Sequence, residues 1–155
     1  MTATSDVRLR RATADDVPRL AALADAAYGR YVERIGGPPR PMTDDYDEVV
    51  HNRHLVTVAE RAGELVGMIV LDIDDEGFLV DNVAVHPAAQ GAGIGRLLLE
   101  HAEAEAGRAG FDSLYLYTHE LATENLALYA RIGYVEYDRR RLPEGACLVY
   151  LRKRL

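Results

Sequence analysis

The sequence predicts a single mixed α/β domain on a largely antiparallel sheet, and three observations carry that prediction. Three β-like runs, Leu55–Glu60, Leu65–Ile73 and Phe78–Val85, are separated only by the turn-forming segments RAGE and DDEG, the pattern of an antiparallel meander. A helix-patterned stretch from Gly95 to Gly110 then leads into a strand at Ser113–Thr118, and such a strand, helix, strand succession implies a parallel pair with a right-handed crossover. The 155 residues hold no internal repeat, low-complexity tract or long linker, so one domain over residues 1–155 accounts for the chain.

In chain order, Val7–Arg11 alternates apolar and basic residues and reads as the first strand. Thr13 with Asp16 three residues later resembles a capping box, after which Val17, Leu20, Ala21, Ala24, Tyr28 and Tyr31 keep helical spacing. The GGPPRP segment at Gly36–Pro41 cannot continue a helix. Thr43 then caps a second, acidic helix to about Arg53. Past the meander, Leu97, Leu98, His101, Ala102 and Ala109 mark the apolar face of a helix that turns Arg96, Glu100 and Glu103 outward and stops at Gly110. A short helix at Asn125–Ile132 ends at Gly133, and Tyr134–Arg140 with Ala146–Lys153 closes the chain as a hairpin, whose edge offers a surface for a homodimer.

Composition narrows the function classes. A net charge of −7 and a pI near 5.2 disfavour nucleic acid, whose phosphates need clustered Lys and Arg; the one basic run, Arg139–Arg141, reads as a solvated strand end, with a local phosphate contact as the alternative. No stretch reaches the roughly 18 consecutive apolar residues of a membrane span, and MTATSDVRLR lacks a signal's apolar core, so a cytoplasmic protein without membrane contact is expected. Cys147, the sole cysteine, excludes an intramolecular disulfide and a cysteine-based zinc site and reads as a small core residue of a late strand. His51 and His54 lack matching ligands nearby and read as a solvated helix end, so no metal is expected.

The most informative stretch is Gly77–Arg96, GFLVDNVAVHPAAQGAGIGR: a strand, a short turn, three glycines on alternate positions, then a helix. One glycine would make a tight connection, whereas three leave the backbone bare for a ligand, and a phosphate at a helix N-terminus fits that arrangement. A Walker loop would need Lys-Ser or Lys-Thr after its last glycine, where Arg96-Leu97 stands. A dinucleotide fingerprint would need glycine at Arg96 and would follow its strand directly.

Val83-Ala84-Val85-His86-Pro87 followed by Gln90, Gly93 and Gly95 instead resembles the signature of the GCN5-related N-acetyltransferase (GNAT) superfamily, and Leu128-Tyr129-Ala130-Arg131-Ile132-Gly133-Tyr134 resembles its late helix. The similarity in element order extends over essentially the full length. It implies a mixed, largely antiparallel sheet of six to seven strands flanked by about four helices. It also implies acetyl-CoA as co-substrate, with the diphosphate on the amides of Gly91, Ala92, Gly93, Ile94, Gly95 and Arg96, and the pantetheine arm along the main chain of Val83, Ala84 and Val85.

The reaction so implied is direct attack of a neutral primary amine, of a small molecule or a peptide, on the thioester in a ternary complex. Tyr129 matches the family's general acid and equally fits a group that holds the sulfur or a core tyrosine packed on Leu128 and Ile132. Asn125, one turn earlier on the same face, could hydrogen-bond the pantetheine or equally make a contact at the helix N-terminus, because the family's asparagine stands seven residues before the tyrosine and here the interval is four. Asp81 is the expected base, acting through water, on the strand face of Val83 and Val85 with Asn82 opposite; a structural aspartate is the alternative, and His119 is a rival proton acceptor. The acceptor site is expected between the first two helices and Ser113–Thr118, where Tyr28, Tyr31, Tyr46, Tyr115 and Tyr117 fall. Asp44, Asp45, Asp47 and Glu48 would there favour a cationic amine unless they form a solvated face. A non-catalytic acyl-CoA-binding sensor or interaction module on the same fold is the second reading of function.

Overall fold

Short turns and alternating side chains build the meander as expected. In the computed structural model, which describes residues 6–155, β2 (Leu55–Arg61), β3 (Glu64–Asp74) and β4 (Gly77–Val85) pair antiparallel. The first five residues of the expected domain lie outside the described residues. Ala62 and Gly63 join β2 to β3 with φ of 52° and 80°, the two left-handed residues that a two-residue hairpin loop requires. The Asp74 carboxylate accepts the N–H groups of Glu76 and Gly77 and closes the next turn.

With β1 (Arg8–Arg11), β5 (Ser113–His119), β6 (Val135–Arg141) and β7 (Cys147–Arg154), these strands form one seven-stranded sheet of order β1-β2-β3-β4-β5-β7-β6. All pairs are antiparallel except β4 with β5, the expected parallel pair. That pair meets only at Leu79 and Tyr115, so the two strands part beyond it.

Helices cover both faces. One core packs α5 (Ile94–Arg108) and α6 (Thr123–Arg131) on the sheet through Ile94, Leu98, Leu99, Ala102 and Tyr129; the other packs α1 (Val17–Tyr28) and α4 (Tyr46–Asn52) through Leu20, Leu23, Ala24, Ala27, Tyr46 and Val49. Single turns α2 (Val32–Ile35) and α3 (Arg40–Thr43) fill the GGPPRP region, where Gly36 ends α2 at φ 86°. Cys147 is buried in β7, and Arg139 and Arg140 on edge strand β6 pair with Glu136, Glu76 and Asp138.

Local details correct the expectations. Asp45, not Thr43, caps α4, because its carboxylate accepts the N–H groups of Asp47 and Glu48 at 3.1 and 3.4 Å, whereas Thr43 closes α3 by donating to the Arg40 carbonyl. Ala21 and Ala109 are exposed; Leu23, Ala27, Leu99 and Ala106 complete the buried stripes instead. The period-two placement of Asp81 also fails. Val70 faces Asn82 and Leu71 faces Val80, which leaves Asp81 as the extra residue of a β-bulge, so Phe78 and Val80 meet the α5 core whereas Ala84 meets the α1 core.

Candidate active site

The glycine loop follows β4 through a 3-10 turn at Pro87–Ala89. Its alternation has a packing cause. Ala92 and Ile94 turn their side chains to the core, while Gly91 and Gly93, with φ of 84° and 82°, carry the backbone through left-handed conformations on the outer side. Gly93 caps α5. Among the described residues, none of the six consecutive N–H groups from Gly91 to Arg96 donates to an acceptor; the first bond of this region is from Leu97 N–H to the Gly93 carbonyl at 3.0 Å. A Cβ at Gly91 would meet nothing within 4 Å, so the approach to these amides is open. The cradle fits a diphosphate. Arg96 is exposed and paired with Glu100 at 3.4 Å, a pair too solvated to hold either side chain firmly.

Where β4 and β5 part, a cavity of about 450 Å³ opens, bounded by Val80–Val83, Leu116–His119, Asn125 and Tyr129. The carbonyls of Val83 and Val85 turn away from β3. The Tyr28 hydroxyl lies 2.8 Å from the Val83 carbonyl and 2.5 Å from Asn82 Oδ1, and the Gln90 amide donates to the Val85 carbonyl at 3.2 Å. In an antiparallel ladder the N–H of a residue leaves on the same side as its C=O, so the Val83 and Val85 amides face the splay as well. Gln90 therefore ties the strand end to the loop.

Tyr129 is 6% exposed, packs edge-on against Tyr134 with ring centroids 5.8 Å apart, and lines the cavity. Burial pushes its phenol well above the ordinary range, so the hydroxyl keeps its proton. Asn125 lies on the same cavity wall. Asp81 lines it too, with its side chain 9% exposed between Arg40 at 3.3 Å and Arg53 at 3.4 Å. Burial raises its pKa above the usual carboxylate value, and the two guanidinium groups oppose that rise. His119 also reaches the cavity, but its Nδ1 accepts the Leu121 N–H at 3.0 Å. That bond occupies Nδ1, so His119 presents only its Nε2 edge for a further contact.

Of the five expected tyrosines, Tyr28, Tyr31 and Tyr117 line the cavity. Tyr46 instead donates to the Pro41 carbonyl and accepts from Asn82, and Tyr115 donates to Asp74. The acidic run does not bound the cavity: Asp44 pairs with Arg40, Asp45 caps α4, Glu48 pairs with Arg53, and Asp47 is exposed. Sequence reasoning missed that the GGPPRP segment and the β6–β7 turn form walls, contributing Pro39, Arg40, Leu142 and Glu144. Gly and Pro after a helix signal only the break, and nothing in the turn's composition points inward.

Known proteins bear on this geometry. The family profile described as Acetyltransferase (GNAT) domain matches residues 52–136, just over half of the chain. An IAA acetyltransferase from Azospirillum brasilense is 41% identical over 81 residues, 51% of this chain and 53% of that relative. A mycothiol acetyltransferase from Jonesia denitrificans is 33% identical over 88 residues, 56% of this chain and 28% of its own length. The chain thus matches about half, or less, of the length of these curated relatives. A GNAT family acetyltransferase from Elizabethkingia anophelis, solved with acetyl-CoA bound, superposes at TM-score 0.73 with 21% identity over 97% of this chain and 99% of that one. PaiA N-acetyltransferase from Thermoplasma acidophilum, solved in complex with coenzyme A, superposes at TM-score 0.79 with 16% identity over 96% and 99% of the two chains. At these identities the likeness to the two structures is one of fold.

Proposed function

The chain belongs to the GNAT acetyltransferase family, and from that premise we propose that it moves an acetyl group from acetyl-CoA to a primary amine by direct attack in a ternary complex. The observation that carries this reading is the row of amides from Gly91 to Arg96, leading into and opening α5 and unpartnered among the described residues, beside a strand splay lined by Tyr129.

Gly91 to Arg96 hold the diphosphate through their N–H groups, with the helix end adding roughly 0.3–1 kcal/mol. Val83 and Val85 hold the pantetheine by the main-chain N–H groups that face the splay, whereas Ala84, expected to share that role, turns its main-chain groups to Met68 on β3; Gln90 steadies that strand end, and Asn125 binds the arm from α6. Acetyl-CoA supplies an acyl group on a thioester sulfur. Asp81, through water, takes the proton that the ammonium must lose. As the amine nitrogen bonds to the acyl carbon and the C–S bond breaks, Tyr129 gives its proton to the departing sulfur and regains one from the amine side. The buried phenol, held protonated, suits that role.

Calorimetry with acetyl-CoA tests the reading. Wild type should bind, Gly93→Pro should bind at least tenfold more weakly because proline cannot adopt φ 82°, and Tyr129→Phe should keep its affinity within about twofold while turnover falls about a hundredfold. Absence of binding at millimolar acetyl-CoA rejects the function, and unchanged turnover in Tyr129→Phe returns that residue to packing.

A further inference from the structure

The cavity wall also bears on which amine enters, an inference that rests on the acetyltransferase reading. We propose that the acceptor is a hydrophobic primary monoamine with a ring-sized apolar body, an arylalkylamine, and not a polyamine, an aminosugar or a protein lysine.

Four separate segments turn apolar groups inward: Tyr31 after α1, Ile35 and Pro39 around the Gly-Pro break, Tyr117 on β5, and Leu142 and Leu148 beside the C-terminal turn. The cavity, about 450 Å³, is of the size that encloses a small ligand beside the end of a pantetheine arm.

The charges of the wall are already matched. Arg40 lies between Asp44 and Asp81, and Arg53 takes the second oxygen of Asp81, so the Asp81 carboxylate is already balanced by two guanidinium groups and adds no surplus negative charge for a polycation. Glu144 is the one lining carboxylate without a cation partner among the described residues, and it is exposed on the turn. An ion pair at such a site strengthens binding on the order of fivefold at most. Burial of an aromatic ring is worth on the order of a hundredfold.

A peptide or a sugar needs several hydrogen-bond partners at once, and of the polar side chains in this wall only Tyr117, Thr118, the Nε2 edge of His119 and Glu144 are neither engaged among the described residues nor assigned to the cofactor. The N–H groups of Gly36 and Gly37 both donate to the Val32 carbonyl, and the Tyr28 and Tyr31 hydroxyls are engaged with Asn82, Val83 and Glu124. An acceptor carrying many hydroxyl or amide groups would leave most of them unpaired there. An arylalkylamine asks only for its nitrogen to be met.

Coenzyme A release by the purified protein should be followed with saturating acetyl-CoA and 2-phenylethylamine, tyramine, spermidine, glucosamine, a lysine peptide and an alanine-terminated peptide. The expected kcat/KM for the arylalkylamines exceeds that for each other amine at least tenfold. Ile35→Asp, at a half-buried position outside both cores, should lower the phenylethylamine-to-spermidine ratio at least tenfold with acetyl-CoA affinity unchanged by calorimetry, and Ile35→Ala should raise the KM for phenylethylamine without favouring spermidine. A larger kcat/KM for spermidine, glucosamine or either peptide overturns the proposal. So does the absence of arylalkylamine turnover together with no calorimetric binding of phenylethylamine to the coenzyme A complex. Failure to bind acetyl-CoA at all overturns the acetyltransferase reading, and this proposal with it.

Discussion

Asp16 concentrates more interactions than any other carboxylate near the N-terminus. Its side chain, 1% exposed, accepts from Arg10 and Arg19 at 2.8 and 2.7 Å and from the Thr13 N–H at 2.8 Å, joining β1 to the start of α1. The bonds from Arg10 come first among the causes that hold its pKa well below the ordinary carboxylate range, against the cost of burial. A carboxylate whose native pKa is depressed stabilises the fold above its unfolded value of about 3.9, and that contribution is lost as pH falls toward the native one. Asp16→Asn should therefore cost about 2 kcal/mol at pH 7, and urea titrations should show the gap between variant and wild type narrowing as the pH drops below about 4. A gap independent of pH would mean that shape and not charge holds Asp16 in place. The sequence marked Thr13 and Asp16 as a pair, but Arg10 was not legible beside them, since it comes from a neighbouring strand and sequence spacing carries no cross-element contact.

At the scale of elements, the approach of α5 to the sheet decides whether the amides ahead of it are aimed. Gly67 on β3 sits under the first turns of the helix. A Cβ there would come within 3.0 Å of Leu98 Cδ1, 3.2 Å of Ile94 Cγ2 and 3.3 Å of the Ala84 carbonyl. Relief is confined to two side chains in the middle of a filled core, so Gly67→Ala should cost about 1–3 kcal/mol by overpacking. Because Ile94 opens α5, the same displacement should weaken acetyl-CoA binding; a variant that loses stability but binds as wild type would show the helix start to be set by the loop and not by β3. Strand, loop and helix were readable in order because each depends on local chemistry: a β-like run between turn segments in β4, glycine where φ turns positive at Gly91 and Gly93, and helical spacing that includes Leu98 and Ala102. Asp81 was misplaced for a reason equally physical. A bulge is a relation between two strands, and period two holds only while the register does.

At the scale of the molecule, the matched region and the acceptor walls divide differently. Residues 52–136 carry the cofactor loop and Tyr129, whereas Tyr31, Pro39, Leu142 and Leu148 stand outside that span. Cofactor chemistry is legible in sequence because it is written in main-chain geometry, while the acceptor wall is assembled from side chains far apart along the chain. What joins the two halves is the sheet. β1 pairs with β2, β7 lies between β5 and β6, and no strand can leave without exposing a neighbour's ladder, so thermal unfolding should be a single cooperative transition. A ligand that binds only the folded state adds RT ln(1 + [L]/Kd), about 2.7 kcal/mol at a hundredfold excess over Kd. For a chain of this size that corresponds to a rise in Tm of about 5–10 °C. Calorimetric melts with acetyl-CoA should move the whole transition by that amount. Were the transition to split, with only one part shifting, the cofactor half would be folding apart from the acceptor walls, and the shared sheet would not be what couples them.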